Sequence, residues 1–416
     1  MFPDRNHCDC NHFPRVMQFT DHPEISSLGL PAAVQFLTMN DWTRDFAARN
    51  FPTIRKLYAA NGFPDRVDCH YYDTPHSYDK PKRERTYLWM EKWVRGNASP
   101  GPIVEPDGGK IFPPRTLEKL TAKVPANKGF AEISRIFEQQ RGYTIPPIAT
   151  SADWQHYRQR MLENLEVLLG LEARLPRTAT KPTGTREKVE GKLVVERTSY
   201  PSEGGIMVPV VIVRPADNDK LLPAVILLGA AGKESLLAAT GPGSARALAA
   251  DDRLVALPDV RCFGALFSTG GTDHQLQRRA WERNGIVWGR PVPAMACTDL
   301  RAVLDGLSRR GDINREKIEL ITRASGDLAI AALFTASLDP RITALDVDMN
   351  GCCYDKRNLA VVPFVLQYGD VLQWAALLAD RELAIRDIPE QAGDPAWLRR
   401  IFTVAGNRSG LQVDRH

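Results

Sequence analysis

Hydrophobic positions change their spacing along the second half of the chain, and each change predicts a different element. Between residues 150 and 170 leucines recur at helical spacing, and Gly170 follows them where a helix is expected to end. Alternation with a period of two over 193–215 predicts a β-hairpin that turns at the Glu-Gly-Gly of residues 203–205. The continuous apolar run 222–229 ends in a glycine and predicts a buried parallel strand.

Strands and helices continue to alternate through the rest of the chain. Predicted strands lie at 252–261, 317–324, 341–349 and 379–387, and predicted helices lie at 242–251, at 293–310 and after the turn Ser325-Gly326-Asp327. This alternation predicts an α/β fold with a doubly wound, mostly parallel sheet covered by helices on both faces. We expect about five buried strands, with ligands bound beyond their carboxyl ends.

An internal repeat relates the beginning of the chain to its end. The segment 14–21 matches 363–370 at an offset of 349 residues, and 55–58 matches 399–402 after a five-residue slip. The alternative is that two amphipathic stretches agree by chance. If the repeat is real, residues 1–95 are a partial copy of the same domain's C-terminal part.

The repeat divides the chain into a partial segment (1–95), a Pro/Gly-rich linker with one helix (96–149) and a domain (150–416). Within 1–95 we expect elements in the order strand (33–38), helix (48–61), strand (65–71) and helix (82–95). Two strands do not form a stable sheet alone. The segment is therefore expected to pack against the second unit's sheet or against another chain, or else to have no such support. We expect the second unit to end at His416 without a counterpart of His76.

The composition limits which binding partners and which cellular compartment can be expected for the protein. The chain has 416 residues, 43% hydrophobic and 25% charged, with a net charge of +4, which is too weak and too evenly spread to indicate nucleic-acid binding. No run of 18 apolar residues predicts a membrane span, and no signal peptide is visible. Seven cysteines in no framework spacing favour reduced thiols over a disulfide scaffold. The native compartment stays open because Met1 is not certain to be the true start.

Three segments carry a resemblance to a known family: 221–234, 257–264 and 289–342. Together they resemble the branch of the α/β-hydrolases that contains acetyl xylan esterases, cephalosporin deacetylases and dienelactone hydrolases. Members of that branch are often exported. The resemblance implies hydrolysis of an ester, such as an acetyl group on a polysaccharide or oligosaccharide. It implies a small-molecule or carbohydrate ester substrate, no cofactor, and the possibility of a homo-oligomer.

The nucleophile implied by this resemblance is Ser325, at a strand-to-helix turn where a nucleophile elbow belongs. Arg323 and Asp327 occupy the two positions where that elbow has glycines, which departs from the family pattern. The alternative interpretation is a helix N-cap serine in a catalytically decayed site. The domain would then act as a binding or assembly module.

The base implied by the family pattern is His76, which follows a strand and precedes a charged helix. Asp41 and Asp387 are both candidates for the orienting acid, and Glu390 is the repeat partner of Asp41; each could equally be a turn residue. His416, as the last residue, is a poorer base than His76. Whether His76 reaches Ser325 stays open, because this requires residues 1–95 to complete the second unit's sheet, within one chain or between two.

Three further features complete the sequence-based expectations. The backbone at Gly229 and Ala230 is the candidate oxyanion hole, or else a plain tight turn. The run from His7 to His12, with Cys8 and Cys10, is too compact for a closed metal site, so no metal is expected. The basic run 80–85 is interpreted as a solvated helix start, with no role in nucleic-acid binding.

Overall fold

The computed structural model describes residues 13–106, 129–141, 145–172, 182–217, 219–267, 274–323 and 325–415. The chain divides into two compact units, Met1–Gln140 and Arg141–His416, and this division falls inside the segment predicted to be a linker. The Cys8 and Cys10 cluster and His416 lie outside the described residues.

The first unit is built around two parallel strands, β1 (Val34–Met39) and β2 (Val67–Tyr72). Its helices are α1 (His22–Ser27), α2 (Phe46–Arg49), α3 (Phe51–Ala60), α4 (Lys80–Trp93) and α5 (Phe130–Arg141). A small core forms where Ile54 and Tyr58 of α3 pack with Phe46 and Val67. The four elements predicted within residues 1–95 are all present.

The second unit contains a nine-stranded sheet in the order β11-β10-β9-β8-β6-β7-β5-β4-β3. The strands are β3 (Thr183–Glu190), β4 (Leu193–Pro201), β5 (Met207–Pro215), β6 (Leu222–Gly229), β7 (Leu254–Pro258), β8 (Ile313–Arg323), β9 (Ala344–Asp348), β10 (Glu382–Ile388) and β11 (Leu411–Arg415). Pairing is parallel from β11 through β7 and antiparallel from β7 through β3. The predicted α/β class with a mostly parallel sheet is therefore confirmed. The five predicted buried strands correspond to β6, β7, β8, β9 and β10 and the predicted hairpin to β4 and β5, whereas β3 and β11 were not predicted.

Helices complete the second unit: α6 (Ser151–Leu168), α7 (Lys233–Ala238), α8 (Ala245–Ala250), α9 (His274–Trp288), α10 (Val292–Leu307), α11 (Gly326–Leu338), α12 (Val371–Ala375) and α13 (Pro395–Val404). The most apolar of them is α11, whose side chains are nearly all buried because neighbours cover it on every side. Phe334 of α11 meets Trp374 of α12 edge to face, with ring centroids 5.5 Å apart.

The predicted repeat is matched by similar local structure in the two units. Arg15 and Phe364 both have left-handed backbone (φ 65° and 68°) before a short 3₁₀ helix. Asp21 and Asp370, 349 positions apart, both form capping boxes at the start of a helix. Each unit then continues with a strand, a helix and a parallel strand. These similarities support the repeat, which we retain as a proposal.

Candidate functional site

The carboxyl edge of the second unit's sheet holds an open cavity of about 570 Å³. It begins at the turn after β6, where Ala230, Ala231 and Gly232 form part of its wall, and includes Phe263 and Arg278. Ligands of open α/β sheets bind at this edge. Most of the lining side chains are apolar or small, so the cavity suits a compact organic group.

Asp259, just after β7, holds the cavity wall in shape. Its carboxylate accepts hydrogen bonds from the backbone N–H of Lys233 (2.7 Å) and of Ala265 (2.9 Å), and it pairs with the Lys233 ammonium at 2.5 Å. A Cβ at Gly264 would lie 2.2 Å from the Asp259 Oδ1 atom, and Gly264 has a φ of +54°. Only glycine lets this loop close over the carboxylate.

A buried ionic network lies beneath the same loop. The guanidinium of Arg261 pairs with Asp299 of α10 at 2.9 Å and with Glu203 of the hairpin turn at 3.1 Å. Glu203 also pairs with Arg290 at 3.0 Å, and Ser202 donates to Asp299 at 2.7 Å. These contacts tie the β4–β5 hairpin, the loop after β7 and helix α10 together.

Ser325 begins helix α11 at the carboxyl end of β8, as the sequence predicts. Its backbone has φ −154° and ψ 109°, which is ordinary extended conformation without strain. Its Oγ atom accepts the backbone N–H of Leu328 at 3.5 Å, so it acts as a helix N-cap. A nucleophile elbow instead places its serine on a strained turn.

The two residues that replace glycines beside Ser325 are engaged in ion pairs. Arg323 contacts Asp346 of β9 at 3.4 Å, and Asp327 pairs with Arg278. The Asp327 carboxylate also accepts the backbone N–H of Ala360 at 2.7 Å. Burial raises the pKa of Asp327, while the charge of Arg278 and the Ala360 hydrogen bond act in the opposite direction.

Asp387 lies close to the end of β10, next to the loop that follows β9. Its φ of +52° is unusual for a residue other than glycine, and its carbonyl accepts the backbone N–H of Gly351 at 3.0 Å. At the repeat offset Asp387 corresponds to Thr38, and Glu390 corresponds to Asp41. Asp387 is therefore not the repeat counterpart of Asp41, and it stays a candidate for the orienting acid in its own right.

The first unit contains the best-defined pair of catalytic side-chain types. The Nδ1 atom of His76 lies 2.8 Å from Oδ2 of Asp41. Asp41 follows β1 and His76 follows β2, so the parallel pairing of these strands brings together residues that are 35 positions apart. The Asp41 side chain is 7% exposed, whereas that of His76 is 64% exposed.

Local hydrogen bonds also hold the Asp41 carboxylate in place. Its other oxygen accepts both the backbone N–H and the hydroxyl of Thr43, at 2.7 Å and 2.6 Å. Burial alone raises the pKa of Asp41, but the hydrogen bonds from Thr43 and His76 outweigh it, so the pKa lies below the usual value. The Trp42 ring packs against the imidazole with centroids 4.5 Å apart.

Sequence reasoning found Asp41 and His76 but missed the side chains that hold them. Thr43 and Trp42 could have been suspected only from their closeness to Asp41. Lys82 contradicts the prediction of a solvated helix start at 80–85, because its side chain is completely buried. Arg278 also went unnoticed, since its partner Asp327 is 49 positions away.

Cysteine and metal chemistry gain no support from the described residues. Cys69, Cys262, Cys297, Cys352 and Cys353 are unpaired thiols. Burial raises the pKa of Cys262 to about 12 and that of Cys297 to about 11, so both stay protonated at neutral pH. Within the described ranges no group of three or more His, Cys, Asp or Glu residues could hold a metal ion. No helix among them is both long and apolar enough to cross a membrane.

Comparison with solved structures finds similarity to three bacterial proteins of related description. A protein from Bacteroides fragilis assigned as an acetyl xylan esterase has a TM-score of 0.56 at 12% identity, over 70% of this chain and 83% of that one. An acetyl xylan esterase from Paenibacillus has a TM-score of 0.41 at 16% identity, over 67% and 92%. A protein from Klebsiella pneumoniae assigned as a dienelactone hydrolase has a TM-score of 0.38 at 16% identity, over 54% and 84%.

The first of these similarities establishes the fold. The second unit is built on the α/β-hydrolase fold, so the resemblance seen in the sequence is confirmed at the level of architecture. No family model matches the chain, and no curated protein matches it.

Proposed function

We propose that the protein hydrolyses carboxylic esters through an acyl-enzyme, with Ser325 as nucleophile and the Asp41–His76 pair as orienting acid and base. The observation that carries this proposal is the 2.8 Å contact between a buried carboxylate and Nδ1 of an exposed imidazole. This contact leaves Nε2 as the ring atom available to a hydroxyl, as in serine hydrolases. The likeness of fold to the Bacteroides fragilis protein, which is described as an acetyl xylan esterase, supports the same class of reaction.

The proposed mechanism transfers the acyl group in two steps, acylation of the serine and hydrolysis of the acyl-enzyme. Ser325 Oγ attacks the ester carbonyl carbon while its proton passes to the imidazole base, and the tetrahedral intermediate then expels the alcohol, which takes up that proton. A water molecule next attacks the acyl-enzyme and gives its proton to the base, and the carboxylic acid leaves as Ser325 Oγ takes that proton back. The backbone at Gly229 and Ala230 would face the developing oxyanion.

The substrate we propose is an acetyl ester of a polysaccharide or oligosaccharide. The 570 Å³ cavity has Ala230 in its wall, so the proposed oxyanion hole borders a space large enough for a sugar ring. The structurally similar Bacteroides fragilis protein is described as an acetyl xylan esterase, which supports the same substrate class. Asp387 is the alternative orienting acid, should removal of the Asp41 carboxylate leave catalysis unchanged.

A second candidate function is a non-catalytic binding or assembly module on the same fold. The unstrained backbone of Ser325 and its N-cap hydrogen bond favour this alternative. The ion pairs of Arg323 and Asp327, on either side of Ser325, favour it as well.

The deciding experiment measures p-nitrophenyl acetate hydrolysis by the wild-type chain and by Ser325→Ala. We expect the substitution to lower kcat at least about 100-fold, because the nucleophile is lost. His76→Ala should cause a comparable loss, and the double variant should be no worse than either single one, since the two residues would act as a unit.

Ser244→Ala is the matched control. Ser244 caps helix α8 in the same unit, where its Oγ accepts the N–H of Ala247 at 3.3 Å, so its loss reproduces the effect of removing a cap serine. Wild-type activity in this control, together with loss of activity in Ser325→Ala, would support the assignment of Ser325 as the nucleophile. Equal rates for the wild type and Ser325→Ala would reject it and favour the binding module.

A further inference from the structure

Lys82 is a fully buried cation in a place where a cation is unfavourable. Its relative exposure is 0%, although it lies in the first turn of α4. Burial of an ammonium group is costly, and the positive end of the helix dipole adds a further cost. Specific partners must therefore compensate for its position.

The partners are three oxygen acceptors, one for each proton of the ammonium group. The Nζ atom donates to Thr74 Oγ1 at 2.7 Å, to Asp79 Oδ2 at 3.0 Å and to Ser77 Oγ at 3.3 Å. The ring of Tyr72 lies 5.1 Å from Nζ and contributes a cation–π contact.

All three acceptors belong to the loop between β2 and α4, and two of them lie on either side of His76. Thr74 precedes His76 by two residues, and its carbonyl also accepts the N–H of Asn40, next to Asp41, at 3.0 Å. Ser77 follows His76 directly, and its N–H contacts the Met39 sulfur at 3.4 Å. The ammonium of Lys82 therefore holds both sides of the residue that pairs with Asp41.

We propose that Lys82 is a positioning residue that holds the His76 imidazole against Asp41 by clamping the loop at Thr74 and Ser77. The catalytic consequence rests on the ester hydrolysis proposed above, whereas the structural consequence does not. His76 is highly exposed and its ring packs against Trp42, so the orientation of the imidazole depends strongly on the geometry of its loop. Removal of the clamp lets the ring leave Asp41 for part of the time.

The test compares the full-length chain with Lys82→Met, which keeps the length of the side chain but removes its donors. Lys92→Met is the matched control, because Lys92 lies on the same helix with a side chain 37% exposed. We expect Lys82→Met to lower kcat for p-nitrophenyl acetate about tenfold with KM unchanged, because alignment of the base matters most in the transition state. The control should keep the wild-type values.

A second readout does not depend on activity. Two-bond ¹H–¹⁵N correlation spectra of histidine-labelled protein at alkaline pH report the ring tautomer, with His76 assigned by His76→Gln. In the wild type we expect the Nδ1–H tautomer, since Nδ1 donates to Asp41. In Lys82→Met we expect a shift toward the Nε2–H tautomer.

The two readouts separate failure of this inference from failure of the proposed function. If Ser325→Ala and the wild type hydrolyse the ester equally, the proposed function fails, and the tautomer alone decides the role of Lys82. A wild-type tautomer in folded Lys82→Met overturns the inference whatever the esterase assay shows. If Lys82→Met does not fold, the Thr74→Val/Ser77→Ala double variant removes two acceptors but keeps the Lys82–Asp79 pair, and the same two outcomes apply.

Discussion

At the scale of single residues, the strongest observation is how completely the Asp41 carboxylate is satisfied. Thr43 and His76 supply three hydrogen bonds to its two oxygens, and the side chain is almost buried. The folded-state pKa is therefore depressed, so the ionised form stabilises the fold. That contribution is fully present above the unfolded pKa and disappears as the pH falls through the folded pKa.

This predicts that Asp41→Asn lowers the free energy of unfolding by about 1–2 kcal/mol at pH 7, because charge-assisted hydrogen bonds are lost. The deficit should shrink as the pH falls below the usual carboxyl pKa, because the unfolded chain then takes up a proton that the folded carboxylate resists. Urea unfolding at pH 7 and at pH 3 measures both values. Asp45→Asn is the control, since its ion pair with Arg49 is exposed. A deficit that is the same at both pH values would contradict the assigned charge state.

At the scale of elements, α6 shows how one helix divides into a buried and an exposed face. Trp154, Tyr157, Met161 and Leu165 are buried on one side, as the leucine spacing in that segment suggested. The indole N–H of Trp154 donates to the carbonyl of Ala376 at 2.9 Å, across 222 positions of the chain. Hydrophobic spacing predicted the helix, but it did not identify the residues that the helix covers.

We predict that Leu165→Ala destabilises the protein by about 2–5 kcal/mol, because a fully buried side chain is replaced by a cavity. Val167→Ala on the same helix should change the free energy of unfolding by less than about 0.5 kcal/mol, since Val167 is 51% exposed. Thermal and urea unfolding of both variants test the assignment of the two faces. Equal losses in the two variants would show that α6 is rotated from the orientation described.

The two copies of the proposed repeat differ most in how deeply their equivalent side chains are buried. Val34 and Leu383 are equivalent, and each pairs with the first residue of the following strand, Val67 or Leu411. Leu28 is 83% exposed, whereas Leu377, its counterpart at the offset of 349, is fully buried. The element order is therefore shared, while burial depends on the surrounding structure.

At the scale of the whole molecule, ionic groups far apart in sequence connect the layers of the second unit. Arg261 joins Glu203 and Asp299, which lie 58 and 38 positions away, and all three are buried. In the structure these residues lie in the turn between β4 and β5, in the loop after β7 and in helix α10. Only the packed sheet brings them within hydrogen-bond distance.

We predict that Arg261→Met destabilises the protein by about 3–5 kcal/mol, since two buried carboxylates lose their shared partner. Arg253→Met should cost at most about 1 kcal/mol, because its pair with Glu319 is partly exposed. Urea unfolding of both variants at neutral pH provides the comparison. A loss at Arg261 no larger than that at Arg253 would mean that the network contributes little to stability.

Local pattern was sufficient for the α/β class and for the order of most elements, because periodicity and strand ends are encoded over short stretches of chain. Asp41 and His76 were implied by the family resemblance, and their catalytic roles stay a proposal. Local pattern was not sufficient for the strand count, since β3 and β11 are edge strands without a continuous apolar run. It also failed for Lys82, and it left the nucleophile and helix N-cap interpretations of Ser325 both open. Burial of a charge and strain in a turn depend on neighbours that are distant in sequence, so only the tertiary structure decided them.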